Sequence, residues 1–368
     1  MRIVIAIDSF KGCVSSLQAG EAAAKGLREI LPKETQIMVY PVGDGGEGTL
    51  EALAAQHTGS MQFTEVNGPL GKKTLSRWYR THTGSAIIEL AAACGLTLLS
   101  PEERDIMHAG TKGLGELIET AFEAGCRNFT IALGGSASND AGLGALMAIG
   151  LKVFDASGQE ISNGCGESLA KIVSVDTEGL RKFAGCKFVC LADVDTPFMD
   201  APAVYGPQKG ANQQEIKELV EGMDNFASVS LCATGKSMTE AFGSGAAGGV
   251  AGAFACYLGA KCVPGAEKVL SGLDFSGASL IITGEGHMDS QTLCGKMPFA
   301  VMKKGLCENA RVIALTGKAD DTEEFPDAGF DEIREICTEK LPLQVMMNPK
   351  ICLQNIENTA KAIAKELN

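Results

Sequence analysis

The chain has 368 residues, which is too long for one simple hydrophobic core and predicts two domains. With 45% hydrophobic and 21% charged residues and a mean hydropathy of +0.09, its composition is that of a soluble globular protein. A net charge of −13 argues against a nucleic-acid partner or an anionic membrane partner, although helix N-termini and individual lysines can still bind phosphate.

The cysteines and the amino terminus indicate the compartment. Thirteen cysteines are scattered along the chain with only four histidines, and none forms a C-x-x-C pair, which argues against a disulfide framework and against a zinc site. We therefore expect reduced thiols, several of them buried. The chain enters a strand directly, without the features of a signal peptide, and no apolar run approaches membrane-spanning length. The expected location is the cytoplasm.

Both ends of the chain predict alternating strands and helices. Such alternation is typical of a doubly wound parallel sheet. The two ends together supply five strands of this type, which we expect to form one flavodoxin-like sheet. These strands are Ile3–Ile7, Gln36–Val42, Leu280–Thr283, Val312–Thr316 and Glu332–Ile336.

The middle of the chain has a different pattern. Three predicted strands follow one another with little between them, which indicates an antiparallel meander: Met61–Val66, Lys73–Thr81 and Ala86–Leu90. Two further strands, Asn128–Leu133 and Phe188–Leu191, each lead into a loop of small and acidic residues.

These patterns predict an α/β fold made of two α/β domains. Residues 1–58 and 275–368 would form the flavodoxin-like domain, with its parallel five-stranded sheet built from both termini. Residues 59–274 would form an inserted α/β domain with a mixed sheet. We expect the active site in the cleft between the two domains.

The most informative segment is Ile281–Lys296. Its apolar strand breaks at Gly284, where that residue and Gly286 would allow a sharp turn, and Glu285 and Asp289 follow four residues apart. Ligands of α/β proteins bind beyond the carboxyl ends of strands, so these carboxylates are candidates for holding a cation or taking a proton. The alternative is a capped helix start, with Asp289 as the N-cap and Glu285 solvated.

Five loops share one form, in which small residues mixed with acids, amides or lysine follow a strand. One such loop is weak evidence, but five in one chain are hard to explain by glycine turns alone. The loops are Asp8–Gly12, Gly43–Thr49, Gly134–Asp140, Asp193–Asp195 and Thr283–Asp289.

The loop Gly134–Asp140 precedes a predicted helix, Ala141–Gly150. Its backbone N–H groups and small side chains suit phosphate oxygens, but a turn that packs the strand closely on the helix explains the pattern equally well. Gly243–Gly249 leaves the same two interpretations open, with close packing favoured. The chain lacks the G-x-x-x-x-G-K-[ST] loop, and G-x-G-x-x-G does not follow its first strand, which argues against a Walker A site and a dinucleotide fold.

Phosphoryl transfer needs a metal-bound nucleotide, cations near the γ-phosphate and a base at the acceptor hydroxyl. Carboxylates supply hard oxygen ligands or a base, and lysines supply mobile cations. Each lysine taken alone is more simply a solvated surface residue. The acids that lie in or beside the glycine turns are Asp193, Asp195, Glu285 and Asp289, and the lysines are Lys11, Lys209 and Lys296.

Several motifs, in this order, resemble those of the type I bacterial glycerate kinase family. They are DSFKG, DGGEGT, LGGSASNDAGLGALMAIG, YGPQKGA, GAAGG and TGEGHMDSQTLCGK, within Asp8 to Thr316. The resemblance implies two α/β domains, one of them flavodoxin-like. It also implies ATP- and Mg²⁺-dependent phosphorylation of D-glycerate, with 2-phosphoglycerate favoured over 3-phosphoglycerate as the product.

The resemblance also suggests site residues, whose individual roles are our hypotheses. Catalytic roles are expected for Asp193 as the general base and for Lys11 and Asp8. The residues expected to bind the substrate are Ser9, Asp44, Glu47 and Lys209. Those expected to cradle the nucleotide phosphates are Gly134, Gly135, Ser136, Ser138 and Asn139, and those expected near Mg²⁺ are Glu285 and Asp289.

One segment departs from the family pattern. The stretch after Asp193 is shorter than usual, and Thr196 stands where the family usually has Asn. This departure bears on substrate preference or rate rather than on the fold. The alternatives are a kinase of another small hydroxy or sugar acid, and a non-catalytic two-domain ligand-binding protein. The expected partners are ATP and D-glycerate, and a homodimer is compatible with the sequence.

Overall fold

The structure is a computed structural model that describes residues 1–320, 325, 327–337 and 342–367. It divides into two compact units. The first, here called the split unit, comprises Met1–Gln56 and Ala266–Asn368. The second, here called the inserted unit, comprises His57–Gly265.

Strands and helices alternate through most of the chain. The strands are β1 (Arg2–Ile7), β2 (Gln36–Val39), β3 (Gly59–Asn67), β4 (Lys73–Thr81), β5 (Ser85–Glu89), β6 (Asn128–Ala132), β7 (Lys152–Phe154), β8 (Ser174–Asp176), β9 (Lys187–Ala192), β10 (Lys261–Pro264), β11 (Leu280–Met288), β12 (Arg311–Ala319) and β13 (Glu332–Glu335). The α-helices are α1 (Ser16–Arg28), α2 (Thr49–Ala54), α3 (Ala91–Cys94), α4 (Lys112–Glu123), α5 (Leu143–Ala148), α6 (Ala201–Tyr205), α7 (Gln213–Thr234), α8 (Ala246–Leu258), α9 (Gly265–Leu270), α10 (Met297–Cys307), α11 (Leu343–Met346) and α12 (Pro349–Leu367). The 3₁₀ helices are Leu96–Leu98, Pro101–Glu103, Gly166–Lys171, Glu178–Phe183, Phe198–Asp200, Pro207–Lys209 and Ser290–Cys294.

A parallel five-stranded sheet forms the centre of the split unit, which confirms the sheet predicted from the two ends of the chain. Its order is β13-β12-β11-β1-β2, and every neighbouring pair is parallel. The chain moves from β1 to β2 on one side and later returns to β11 on the other. The topological switch point, where doubly wound sheets bind ligands, therefore lies between β1 and β11.

Two helices of the split unit pack closely against each other. Ser15 caps α1 by accepting a hydrogen bond from Gln18 N, and small residues such as Ala23 keep the helix face flat. At Gly26 a Cβ would lie 2.2 Å from Glu357 O in α12, so the helices can approach this closely only with glycine there. Within the described residues, no helix is both long enough and apolar enough to span a membrane.

The inserted unit contains a mixed six-stranded sheet with the order β10-β9-β6-β5-β4-β3. The antiparallel meander β3-β4-β5 agrees with the sequence-based prediction, and β5, β6, β9 and β10 pair in parallel. The sequence did not predict β10 or the separate β7-β8 pair, whose strands have only three or four residues. Strands this short carry too little periodicity to be recognised.

Strand β11 is longer than predicted. The apolar run was expected to end at Gly284, but β11 continues in register with β12 as far as Met288, opposite Ala319. Gly284 has φ 152°, and a Cβ there would lie 1.8 Å from Leu315 O. This glycine therefore does not make a turn. It lets β11 and β12 approach each other closely, so that the strand continues and Glu285 lies within it.

We expect Gly284→Ala to lower the free energy of unfolding by about 3 kcal/mol or more, because a methyl group would overlap a backbone oxygen that cannot move aside. Gly286→Ala is the matched control, since its Cβ would meet Phe10 Cα at an ordinary 3.4 Å. Urea unfolding followed by circular dichroism measures both variants. Equal stability of the two variants would contradict this account of β11.

Candidate functional site

Acidic and basic groups converge where β1 ends in the split unit. Asp8 is buried, its N–H donates to Gly284 O at 2.8 Å, and its Oδ1 accepts from Ser9 N at 2.7 Å. Asp44 is also buried, and Lys11 Nζ lies 3.9 Å from Asp44 Oδ2. The structure therefore brings together Asp8, Ser9, Lys11 and Asp44, which the sequence placed in two separate loops.

The predicted residue Glu47 lies in a different environment. Its loop is held by hydrogen bonds from Gly45 N to Thr49 Oγ1 and from Gly46 N to Asp44 Oδ1. These bonds turn Asp44 inward, whereas Glu47 is exposed.

Glu285 and Asp289 are linked through a residue that the sequence analysis missed. Thr292 is fully buried, and its hydroxyl donates to Glu285 Oε1 at 2.7 Å. Asp289 caps the 3₁₀ helix Ser290–Cys294 by accepting from Thr292 N, and Lys296 Nζ lies 3.3 Å from Asp289 Oδ1. The capping alternative is thus correct for Asp289, but Glu285 is buried rather than solvated. The D-x-x-T spacing of a capping box was the signal for Thr292.

Burial and mutual repulsion perturb the carboxyl groups of this cluster. The pKa of Asp8 is raised well above its ordinary value, first by burial and then by the nearby charge of Asp44. The pKa of Glu285 is also raised, mainly by burial, while its hydrogen bond from Thr292 and the charge of Lys296 act in the opposite direction. An added cation would relieve this repulsion.

The carboxylates of this cluster could hold Mg²⁺ only together with ligands from outside the protein. Among the residues that the structure describes, no group of three or more His, Cys, Asp or Glu side chains is placed to hold a metal ion. Mg²⁺, however, is usually held by one or two carboxylates together with substrate phosphates and water. The cluster around Glu285 suits that mode.

The inserted unit contains a buried lysine. Lys209 Nζ donates to Ser136 Oγ at 2.8 Å and to Ser138 O at 2.7 Å. Burial lowers the pKa of Lys209 to about 8, while the charges of Asp140 and Asp193 act to raise it. A buried ammonium beside a small-residue loop is a ready partner for an anionic ligand.

A small cavity of about 160 Å³ lies beside Lys209. Of the predicted residues, those that line it are Gly134, Gly135, Ser136, Asp193 and Lys209. Tyr205 also lines this cavity, and its hydroxyl forms a hydrogen bond with Thr196 Oγ1. The residue at which this chain departs from the family pattern therefore orients a side chain of the cavity wall.

The rest of the predicted phosphate loop lies below the surface. Ser138 and Asn139 are fully buried, and Asn139 Nδ2 lies 3.0 Å from Met223 Sδ. Asp140 holds the loop by accepting from Thr111 N and Oγ1, Gly142 N and Gly144 N. A Cβ on Gly248 would lie 2.5 Å from Ser138 O, which supports the packing interpretation of the Gly243–Gly249 segment.

Comparison with known proteins identifies the same family as the sequence motifs. Residues 3–368 match the model of the glycerate kinase family. A glycerate 2-kinase from Escherichia coli K12 is 38% identical over 348 residues, which cover 92% of this chain and 91% of that protein. A glycerate kinase from Bacillus subtilis 168 is 36% identical, with 100% of this chain and 98% of that protein covered.

A solved structure has the same fold. The crystal structure described as a glycerate kinase 2 from Salmonella typhimurium LT2 matches with a TM-score of 0.85 at 34% identity. The match covers 100% of this chain and 98% of that chain.

We expect Asp8→Asn to keep or raise the free energy of unfolding at pH 7, and Asp140→Asn to lower it by about 2–3 kcal/mol. The pKa of Asp8 is higher in the folded state than in the unfolded state. At a pH above the ordinary pKa of aspartate, the folded state therefore binds more protons at this group, and the group lowers stability as the pH rises. Burial also raises the pKa of Asp140, but its carboxylate accepts four hydrogen bonds that act in the opposite direction and that an amide cannot all replace. Thermal unfolding at pH 7 compares the two, and an equal loss in both would refute the interpretation of Asp8.

Proposed function

The chain belongs to the glycerate kinase family, and on that premise we propose that it transfers the γ-phosphoryl group of ATP to a hydroxyl of D-glycerate. The observation that carries the proposal is the small cavity of the inserted unit, in which Asp193 and the buried Lys209 both line the wall. One acid and one ammonium group are what a hydroxy acid needs: a base for its hydroxyl and a cation for its carboxylate.

In this proposal Lys209 binds the glycerate carboxylate, and Asp193 accepts the proton of the attacking hydroxyl. A base at this position increases the nucleophilicity of the oxygen as the phosphoryl group is transferred. The main chain at Gly134 and Gly135 and the Ser136 hydroxyl would contact oxygens of the γ-phosphoryl group as it reaches the acceptor hydroxyl, while Ser138 and Asn139 would support the loop from below.

The residues of the split unit are proposed to act on the phosphoryl donor. Glu285 and Asp289 would hold Mg²⁺ together with the nucleotide phosphates, and Lys11 would neutralise charge on the transferring group. Bound Mg²⁺ would offset the negative charge of the phosphates. Asp8 and Asp44, with Ser9, would complete the polar surroundings, and the exposed Glu47 would contribute only at the rim.

We favour 2-phosphoglycerate as the product. The name of the Escherichia coli relative, glycerate 2-kinase, supports this choice. We also propose a cytoplasmic location, which the buried free thiols of Cys94, Cys126 and Cys190 support. The homodimer remains a proposal from the sequence.

The first test is an ADP-release assay with D-glycerate and a panel of other hydroxy and sugar acids. We expect the highest kcat/KM with D-glycerate, because the cavity of about 160 Å³ suits a three-carbon acid. Phosphorus NMR of the product distinguishes the 2-phosphate from the 3-phosphate. Preference for a larger acid would favour the alternative kinase, and no ADP release with any acid would favour a binding protein.

The second test is Asp193→Asn, for which we expect a fall in kcat of about 10²–10⁴-fold with folding intact, since a lost base acts on the transition state. The matched control is Asp195→Asn, two residues away, because Asp195 is exposed and its Oδ1 accepts from Gly243 N, a bond that an asparagine can still accept. Turnover near normal in Asp193→Asn would remove this residue from the role of base.

A further inference from the structure

A larger cavity of about 510 Å³ lies in the split unit at the carboxyl ends of its parallel strands. Its walls include Ser9 and Phe10 after β1, Glu285 in β11, Lys318 in β12 and Ile336 after β13. The cavity therefore includes the switch point between β1 and β11, where open α/β sheets bind their ligands.

The volumes of the two cavities indicate which reactant each cavity could hold. Small-molecule sites in proteins usually have volumes of about 300–1,000 Å³. The cavity of the split unit, at about 510 Å³, falls in this range, whereas the cavity beside Lys209, at about 160 Å³, lies below it. A second cavity of the inserted unit, of about 390 Å³, is lined by none of the predicted site residues. Of the two reactants, only the smaller, a three-carbon acid, suits the cavity beside Lys209, and the nucleotide requires a larger space.

Three lysines line the larger cavity, and each lies near a carboxylate. Lys296 is 3.3 Å from Asp289, and Lys318 Nζ is 2.7 Å from Asp320 Oδ1. Lys11 is 3.9 Å from Asp44. Lysine ammonium groups bind phosphate as point charges. These three come from separate segments, which are the loop after β1, the start of α10 and strand β12, so they suit several phosphates rather than one.

The cavity also has an apolar wall. Leu343, Met346 and Met347 line it together with Phe10. Leu343 is 68% exposed and Met347 is 39% exposed, so this apolar surface lies beside lysines with nothing from the described chain covering it fully. Thioether and aromatic side chains pack well against flat aromatic rings. The Asn355 amide, also in the wall, offers a donor and an acceptor to the edge of a ring.

We propose that this cavity is the nucleotide site, with the purine base against Leu343, Met346 and Phe10 and the phosphates on the three lysines. The charged groups alone would suit any phosphate compound. The apolar wall favours a phosphate compound that also carries a flat ring, as a nucleotide does. The inference rests on the proposed function for the identity of the phosphoryl donor and adds where that donor binds.

The test measures binding of ATP and of inorganic tripolyphosphate, both with Mg²⁺, to the full chain by isothermal titration calorimetry. In Leu343→Ser we expect the Kd for ATP to rise about tenfold through lost apolar contact, and the Kd for tripolyphosphate to stay unchanged. The matched control is Leu17→Ser on α1, because Leu17 is 50% exposed in the same unit and does not line the cavity. An unchanged Kd for ATP in Leu343→Ser would overturn the proposed site of the base.

A second pair of variants tests the phosphate end. In Lys318→Met we expect weaker binding of both ATP and tripolyphosphate, whereas Lys303→Met, an exposed lysine over the Phe299 ring on α10, should bind both normally. Normal binding of both ligands by Lys318→Met would overturn its role.

These outcomes are separable from those of the proposed function. If Leu343→Ser weakens ATP binding but D-glycerate is not phosphorylated, the nucleotide site stands and the acceptor is wrong. If D-glycerate is phosphorylated and Leu343→Ser binds ATP normally, the function stands and the nucleotide site is wrong. No measurable ATP binding by the unaltered chain would overturn the inference directly.

Discussion

The repulsion among buried carboxylates at the carboxyl edge of the split unit is the constraint on which the proposed chemistry depends. Asp8, Asp44 and Glu285 come from separate parts of the chain, and the strand order brings them together. Burial and mutual charge raise the pKa of Asp8 and of Glu285. A fold selected only for stability would place apolar side chains at such positions, because burying several like charges together is costly. A bound cation would relieve this repulsion further than the nearby lysines do.

The geometry of β11 explains how the fold holds this arrangement. Glu285 lies on a strand that continues past its expected end because Gly284 lets the carbonyl of Leu315 approach. Thr292 then joins Glu285 to Asp289 through its hydroxyl and backbone N–H. The acids are therefore anchored by strand pairing and a cap rather than by a mobile turn, so little reorganisation is needed when a charged ligand binds.

Much of the fold could be predicted from the sequence because its long strands carry β-branched and apolar runs of recognisable period. The parallel sheet built from both termini and the antiparallel meander both followed from that pattern. The end of β11 could not be predicted, since it depends on the close approach of Gly284 to Leu315, which lies 31 residues later in the chain. The acidic loops could likewise be identified as candidates. Which of their side chains are buried depends on tertiary contacts, as the difference between Asp44 and Glu47 illustrates.

The two units have opposite electrostatic requirements, which supports the proposal that each unit binds a different reactant. The split unit concentrates acids that need a cation, and its lysines and apolar wall suit the remainder of a metal–nucleotide complex. The inserted unit buries an ammonium group whose lowered pKa of about 8 reflects the same desolvation cost with the opposite sign. An anionic ligand beside Lys209 would favour the charged form of this lysine. Each reactant would thus stabilise the unit that binds it, and a hydroxy acid and a metal–nucleotide complex are the pair that satisfies both.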